Sequence, residues 1–98
     1  MIETQKSISD WADQTFGRVH SNMPIAVRAN QEMAELLKEL ALNDDSNEAV
    51  EEIADIVIVL YRLAEYHHRN LGDAIDAKMA INRTRKWSLD AAGQGYHV

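Results

Sequence analysis

Two pairs of carboxylates stand at matched spacing in this chain: Glu32 with Glu35, and Glu52 with Asp55. Residues three apart on a helix project from neighbouring positions on one side. Two antiparallel helices joined by a short loop would bring the pairs face to face. Four carboxylates around one point repel unless a cation sits among them. Oxygen-only ligands suit a hard divalent ion, Mg²⁺ or Mn²⁺, and Mg²⁺ characteristically keeps waters and takes substrate phosphates as further ligands. The second pair carries the stronger signal. It lies in "EEIADIVIVLYRLA", residues 51 to 64, which is otherwise almost entirely apolar, and an unpaired charge carried into such surroundings costs several kcal/mol, by rough estimate.

Other readings of these acids compete. For Glu32, Glu35 and Glu39 a solvated polar face is sufficient, and for Glu48 and Glu51 placement near a helix N-terminus is. A di-iron bundle requires two Glu-x-x-His motifs; the chain offers one such spacing, Glu65 to His68, three turns beyond Glu52. The His67–His68 pair reads instead as a helix end.

A second constellation is cationic. "KMAINRTRKW", residues 78 to 87, holds four bases and no acid, whereas residues 32 to 55 hold nine acids and one Lys. Lys78, Asn82 and Arg85 recur at i, i+4 and i+7, on one helical face. Alone, that is ordinary surface. Beside a metal-binding acidic centre, two cations and an amide form a grip for a polyphosphate.

These residues need helices to position them, and the sequence supplies four. The first spans about Gln5 to Phe16 and ends at Gly17. The second starts near Pro24, after Ser21 and Asn22 as candidate caps, and runs to "NDDSN". The third opens on Asp45 with Glu48 at capping-box spacing and continues to about Asn70, stopping at Gly72. The fourth begins near Asp73 and carries "AIDAKMAINRTRKWSLDAA". The β-branched "IVIVL" could be a strand, but its flanks are helix formers and no partner strand exists. The fold class expected is all-α, a single domain over 1–98, with 92–98 as a flexible tail. After Ile53 the apolar residues of the third helix point in every direction. A chain this short cannot cover such a helix itself, so an obligate homo-oligomer is expected, with the bundle completed by a second subunit.

Composition narrows the partners. With 98 residues, 46% apolar content and no Cys, thiolate metal sites, thiol nucleophiles and disulfides are excluded. A net charge of −6 argues against nucleic-acid binding. The longest apolar run, Ile56 to Tyr61, is too short to span a membrane, and the N-terminus does not read as a signal peptide. A soluble, cytoplasmic protein is expected.

"EMAE", sixteen residues, then "EIAD" resembles the E-x-x-E…E-x-x-D signature of the MazG-like, all-α nucleotide pyrophosphohydrolases. "KMAINRTRKW" is similar to that family's later K-x-x-x-N-x-x-R-x-W segment, and "ISDWADQTFG" fits its aromatic-bearing first helix. The resemblance covers nearly the whole chain, in order. It implies four-helix subunits assembling as dimers or dimers of dimers. It also implies Mg²⁺-dependent cleavage of a nucleoside or deoxynucleoside triphosphate between the α- and β-phosphates, giving monophosphate and pyrophosphate, in nucleotide-pool house-cleaning. Carried over, Glu32, Glu35, Glu52 and Asp55 are the metal ligands and catalytic carboxylates, with Mn²⁺ as a substitute ion. Lys78, Asn82 and Arg85 hold phosphates; Trp11, Phe16 or His20 lies against the base; Glu39 stands behind the ligands. Trp11 has core packing as its competing reading. Two alternatives stay open: a dUTP- or phosphoribosyl-ATP-directed activity, and a catalytically silent helical oligomer whose acids are only surface.

Overall fold

The computed structural model describes residues 1–89 and 93–97. Four helices carry the chain: α1 Gln5–Phe16, α2 Met23–Leu42, α3 Glu48–Tyr66 and α4 Leu71–Thr84. Two three-residue strands follow, β1 Trp87–Leu89 and β2 Gly95–His97, paired antiparallel with Ser88 opposite Tyr96. The expected four-helix, all-α architecture is present, and "IVIVL" lies inside α3. The small hairpin was not expected. Of the tail read as flexible, residues 92 and 98 lie outside the described residues.

Local chemistry sets the helix ends. Thr4 caps α1 reciprocally with Ser7: the Ser7 amide donates to Thr4 Oγ1 at 3.0 Å and the Thr4 amide to Ser7 Oγ at 2.8 Å, a device worth about 1 kcal/mol. Gly17 closes α1 at φ 83°, a conformation that favours glycine. Pro24 stands in the first turn of α2, where its missing N–H costs nothing. Asn22 is the N-cap residue there, but its side chain makes no capping bond.

The α3–α4 region corrects the sequence reading. The expected Asp45–Glu48 capping box does not form, and α3 begins at Glu48 after Asn47. Ser46, which is buried, places its hydroxyl 2.6 Å from Glu39 Oε1 and 3.0 Å from Glu48 Oε2, so the side chain of Glu48 is turned to Ser46. The helix ends at Tyr66 rather than near Asn70, with His68 in the left-handed region at φ 58°. Gly72 is not the stop; it lies inside the first turn of α4, where Asn70 Oδ1 accepts from the Asp73 amide at 2.9 Å. Asn70 therefore starts α4, while α3 has already ended before the left-handed His68. At the far end α4 stops at Thr84, and Arg85 is already extended at φ −80°, ψ 151°.

The five-residue link 43–47 returns the chain, so α2 and α3 form an antiparallel pair, with α1 packed on α3 and α4 touching α3 only slightly. Gln5 ties α1 to the α3–α4 junction: its amide nitrogen donates to Glu65 Oε1 and to the Arg69 carbonyl, and its oxygen accepts from the Leu71 amide at 2.7 Å. The apolar core consists of Ile8, Ala12, Ile25, Ala49 and Ile56 among the described residues, and no large side chain is fully sealed. Among the described residues, no helix is long and apolar enough to cross a membrane.

Candidate active site

The antiparallel return of α3 along α2 sets Glu32 opposite the turn that carries Glu52 and Asp55. One carboxylate oxygen from each of these three residues lies within 4.8 Å of the others. Glu32 is buried, Glu52 half-buried and Asp55 exposed, so the cluster grades from the helix interface to solvent.

Electrostatics mark Glu52 as the strained member. Burial raises its pKa above the ordinary glutamate value, and the like charges of Glu35, Asp55, Glu32 and Glu39 raise it further. Its Oε2 atom is buried and has no hydrogen-bond partner. A buried acceptor in that condition costs free energy that a cation would return. The donor set is all carboxylate oxygen, which fits Mg²⁺ or Mn²⁺ and not a soft metal. Glu35, the fourth predicted ligand, is exposed and outside the cluster of three, yet close enough to act on Glu52. Glu39 also acts on Glu52 by charge, and its oxygen is held by Ser46.

A cavity of about 410 Å³ opens beside the cluster. Glu32 and Asp55 line one part of it; Trp11, Phe16, Ile25 and Ile58 line another. Trp11 and Phe16 meet edge to face at 5.5 Å between ring centroids and remain largely exposed, at 54% and 68%. Such exposure of two large aromatic rings is unusual for core packing and offers a flat surface to a ligand. The cavity thus joins an aromatic surface to a carboxylate cluster. His20 is exposed and does not line it; its neighbour Val19 does.

The cations lining the cavity are Arg28 and Arg62, neither of which sequence reasoning singled out. A signal existed for both. Arg28 stands four residues before Glu32 on α2, and Arg62 seven after Asp55 on α3, each on the face of a candidate ligand. Arg62 is committed to the fold, donating to Asp13 Oδ1 at 3.0 Å and to the Gly17 carbonyl at 2.8 Å. The predicted phosphate grip does not line this cavity. Lys78 is exposed on α4, and Asn82 is half-buried there with an Oδ1 atom that lacks a hydrogen-bond partner. Arg85 lies past the helix end, so the three do not share one helical face.

No family profile matches the chain. It is 35% identical over all 98 of its residues to a protein named dATP/dGTP diphosphohydrolase from Salmonella phage PMBT28, and it spans only 31% of that relative's length. Its fold superposes on the MazG-like pyrophosphohydrolase of cyanophage S-2L with a TM-score of 0.62 and 29% identity, covering 96% of this chain and 92% of that one. That structure holds dGDP and three catalytic Mn²⁺ ions per active site. The chain has the fold of a MazG-like pyrophosphohydrolase and is similar to these two phage proteins in sequence. The E-x-x-E and E-x-x-D segments that resemble the MazG-like signature are the facing turns of α2 and α3. The aromatic-bearing first helix is α1, which lines the cavity beside them.

Proposed function

We propose that this protein is a Mg²⁺- or Mn²⁺-dependent nucleotide pyrophosphohydrolase that cleaves a deoxynucleoside triphosphate between its α- and β-phosphates, releasing monophosphate and pyrophosphate. The observation that carries the reading is a cavity lined by exposed aromatic rings and by Glu32 and Asp55, whose cluster partner Glu52 holds an orphaned oxygen. The relative's naming for dATP and dGTP, and the dGDP bound in the cyanophage enzyme, favour deoxypurine substrates.

Glu32, Glu52 and Asp55 would hold the metal, with Glu35 completing the set. Bound there, a metal would neutralise phosphate oxygens and activate water for attack on phosphorus. The chain's own groups do the rest. Trp11 and Phe16 accept the base against their faces, while Ile25 and Ile58 exclude water from the cavity wall. A glutamate of the cluster not fully used in coordination would take the proton of the attacking water.

The active unit is a homo-oligomer. The chain exposes 7660 Å², against roughly 5,700 Å² for a compact monomer of 11.1 kDa. Its radius of gyration is 15.9 Å, against about 12.6 Å for a compact domain of this length. Leu37 and Val50 stand 62% and 65% exposed on α2 and α3. A second copy covering these faces supplies the missing core. It also brings a loosely held α4, with Lys78, Asn82 and Arg85, within reach of the phosphates.

The test is product analysis with dATP and dGTP in the presence and absence of Mn²⁺ or Mg²⁺. Metal-dependent appearance of monophosphate and pyrophosphate in equal amounts supports the reading; absence of any product with either metal refutes it.

A further inference from the structure

Arg28 lines the cavity that Glu32 and Asp55 of the carboxylate cluster share with the aromatic rings of Trp11 and Phe16. Its Nη2 atom lies 2.7 Å from Glu32 Oε1, while 63% of its side chain remains exposed. The ion pair is local, between residues four apart on α2, and Arg28 makes no other hydrogen bond or ion pair recorded among the described residues. The contrast with Arg62 is sharp. That guanidinium is only 12% exposed, and its Nη2 is held by Asp13 and the Gly17 carbonyl, so it is tied to the fold.

The Arg28–Glu32 contact also places a cation against a residue of the metal cluster. A divalent ion held by Glu32, Glu52 and Asp55 would compete for the Glu32 carboxylate charge and so weaken its hold on Arg28. A guanidinium released there faces the same cavity and can reach a phosphate bidentately. We propose that Arg28 is a phosphate-binding residue of the nucleotide site, whose guanidinium passes from its ion pair with Glu32 to the substrate's phosphates when metal and nucleotide bind. This rests on the proposed function above. It supplies, from within one chain, a phosphate contact that the α4 cations do not provide in this cavity.

The alternative role for Arg28 is merely to orient Glu32, and two binding measurements separate the roles. Calorimetric titration of wild type, Arg28→Ala and Arg28→Lys with an α,β-imido analogue of dGTP, in saturating Mn²⁺, reads phosphate contact. Titration with Mn²⁺ alone reads the carboxylate cluster. The expected result is a loss of roughly 10- to 100-fold in analogue affinity for Arg28→Ala, the range of a charge-assisted hydrogen bond. Arg28→Lys recovers part of it, and Mn²⁺ affinity without nucleotide stays within about twofold of wild type or tightens. Because Arg28 is largely exposed, the variant keeps its fold, which circular dichroism checks. Unchanged analogue affinity overturns the proposal, and so does a parallel loss of Mn²⁺ affinity, which would make Arg28 a positioning residue for Glu32. If wild type itself binds no analogue with Mn²⁺ present, the proposed function falls and this proposal with it. If wild type binds and Arg28→Ala binds equally well, only the role of Arg28 is refuted.

Discussion

The Tyr66 hydroxyl donates to Asp13 Oδ1 at 2.6 Å, joining the end of α3 to the end of α1. The same hydroxyl accepts from the Val19 amide at 3.2 Å, and Arg62 bridges Asp13 to the Gly17 carbonyl. Arg18 lies over the Tyr66 ring at 4.9 Å. This hub fixes the α1–α2 turn, and Phe16 at its start and Val19 within it form part of the cavity wall.

The hub predicts an acid-sensitive stability. The Tyr66 hydrogen bond, with help from Arg62 and Arg18, holds the Asp13 carboxyl below the usual aspartate value of 3.8, outweighing the opposing effect of burial. A depressed folded pKa means that the stabilisation is fully present above about pH 4 and is lost as pH falls through the folded value. Asp13→Asn should therefore lower Tm at pH 7. It should also flatten the decline of Tm between about pH 4 and pH 2 relative to wild type. Equal acid slopes in the two proteins would show that the hub does not carry this stability.

Glu52→Gln separates structural from functional cost. Removing a like charge from the cluster should raise the Tm of the metal-free protein by a few degrees. It should also abolish the Tm increase that Mn²⁺ gives wild type and lower turnover by about two orders of magnitude or more. Thermal scans with and without Mn²⁺ check both. A variant that still gains stability from Mn²⁺ would remove Glu52 from the ligand set.

Trp11 is predicted to act in binding. Trp11→Ala should raise KM for a purine deoxynucleotide by roughly 5- to 30-fold, reflecting loss of about 1–2 kcal/mol of base stacking, with kcat changed much less. Steady-state kinetics read the split. A fall in kcat at unchanged KM would return Trp11 to a packing role.

The reach of the sequence was uneven for physical reasons. Helical periodicity and the spacing of Glu32, Glu52 and Asp55 are local properties, and the carboxylate cluster followed once a short loop reversed the chain. Helix ends depended on which of several polar residues captured an amide. Asn70 was indistinguishable from other loop asparagines until its bond to Asp73 was seen, and Ser46 drew Glu48 away from the expected box. Arg28 escaped notice because an arginine at i−4 to a glutamate reads as a routine surface pair. Only the cavity, which depends on α1 packing against α3, gives its position meaning. The hairpin from Trp87 onward escaped for the opposite reason. Two three-residue strands leave almost no periodic signal.

Leu37 tests the assembly. Exposed apolar side chains on α2 and α3 should lie in an interface between copies, so Leu37→Asp should reduce the mass measured by light scattering towards the 11.1 kDa of one chain. A wild-type protein already at that mass would overturn the oligomeric reading.

The most direct test of the central claim follows dGTP turnover by ³¹P NMR in wild type and in Glu52→Gln, with Mn²⁺ and then with excess chelator. The account predicts dGMP and pyrophosphate from wild type with Mn²⁺, nothing with chelator, and little from the variant. Release of dGDP and inorganic phosphate, or turnover that survives both the chelator and the substitution, would contradict it.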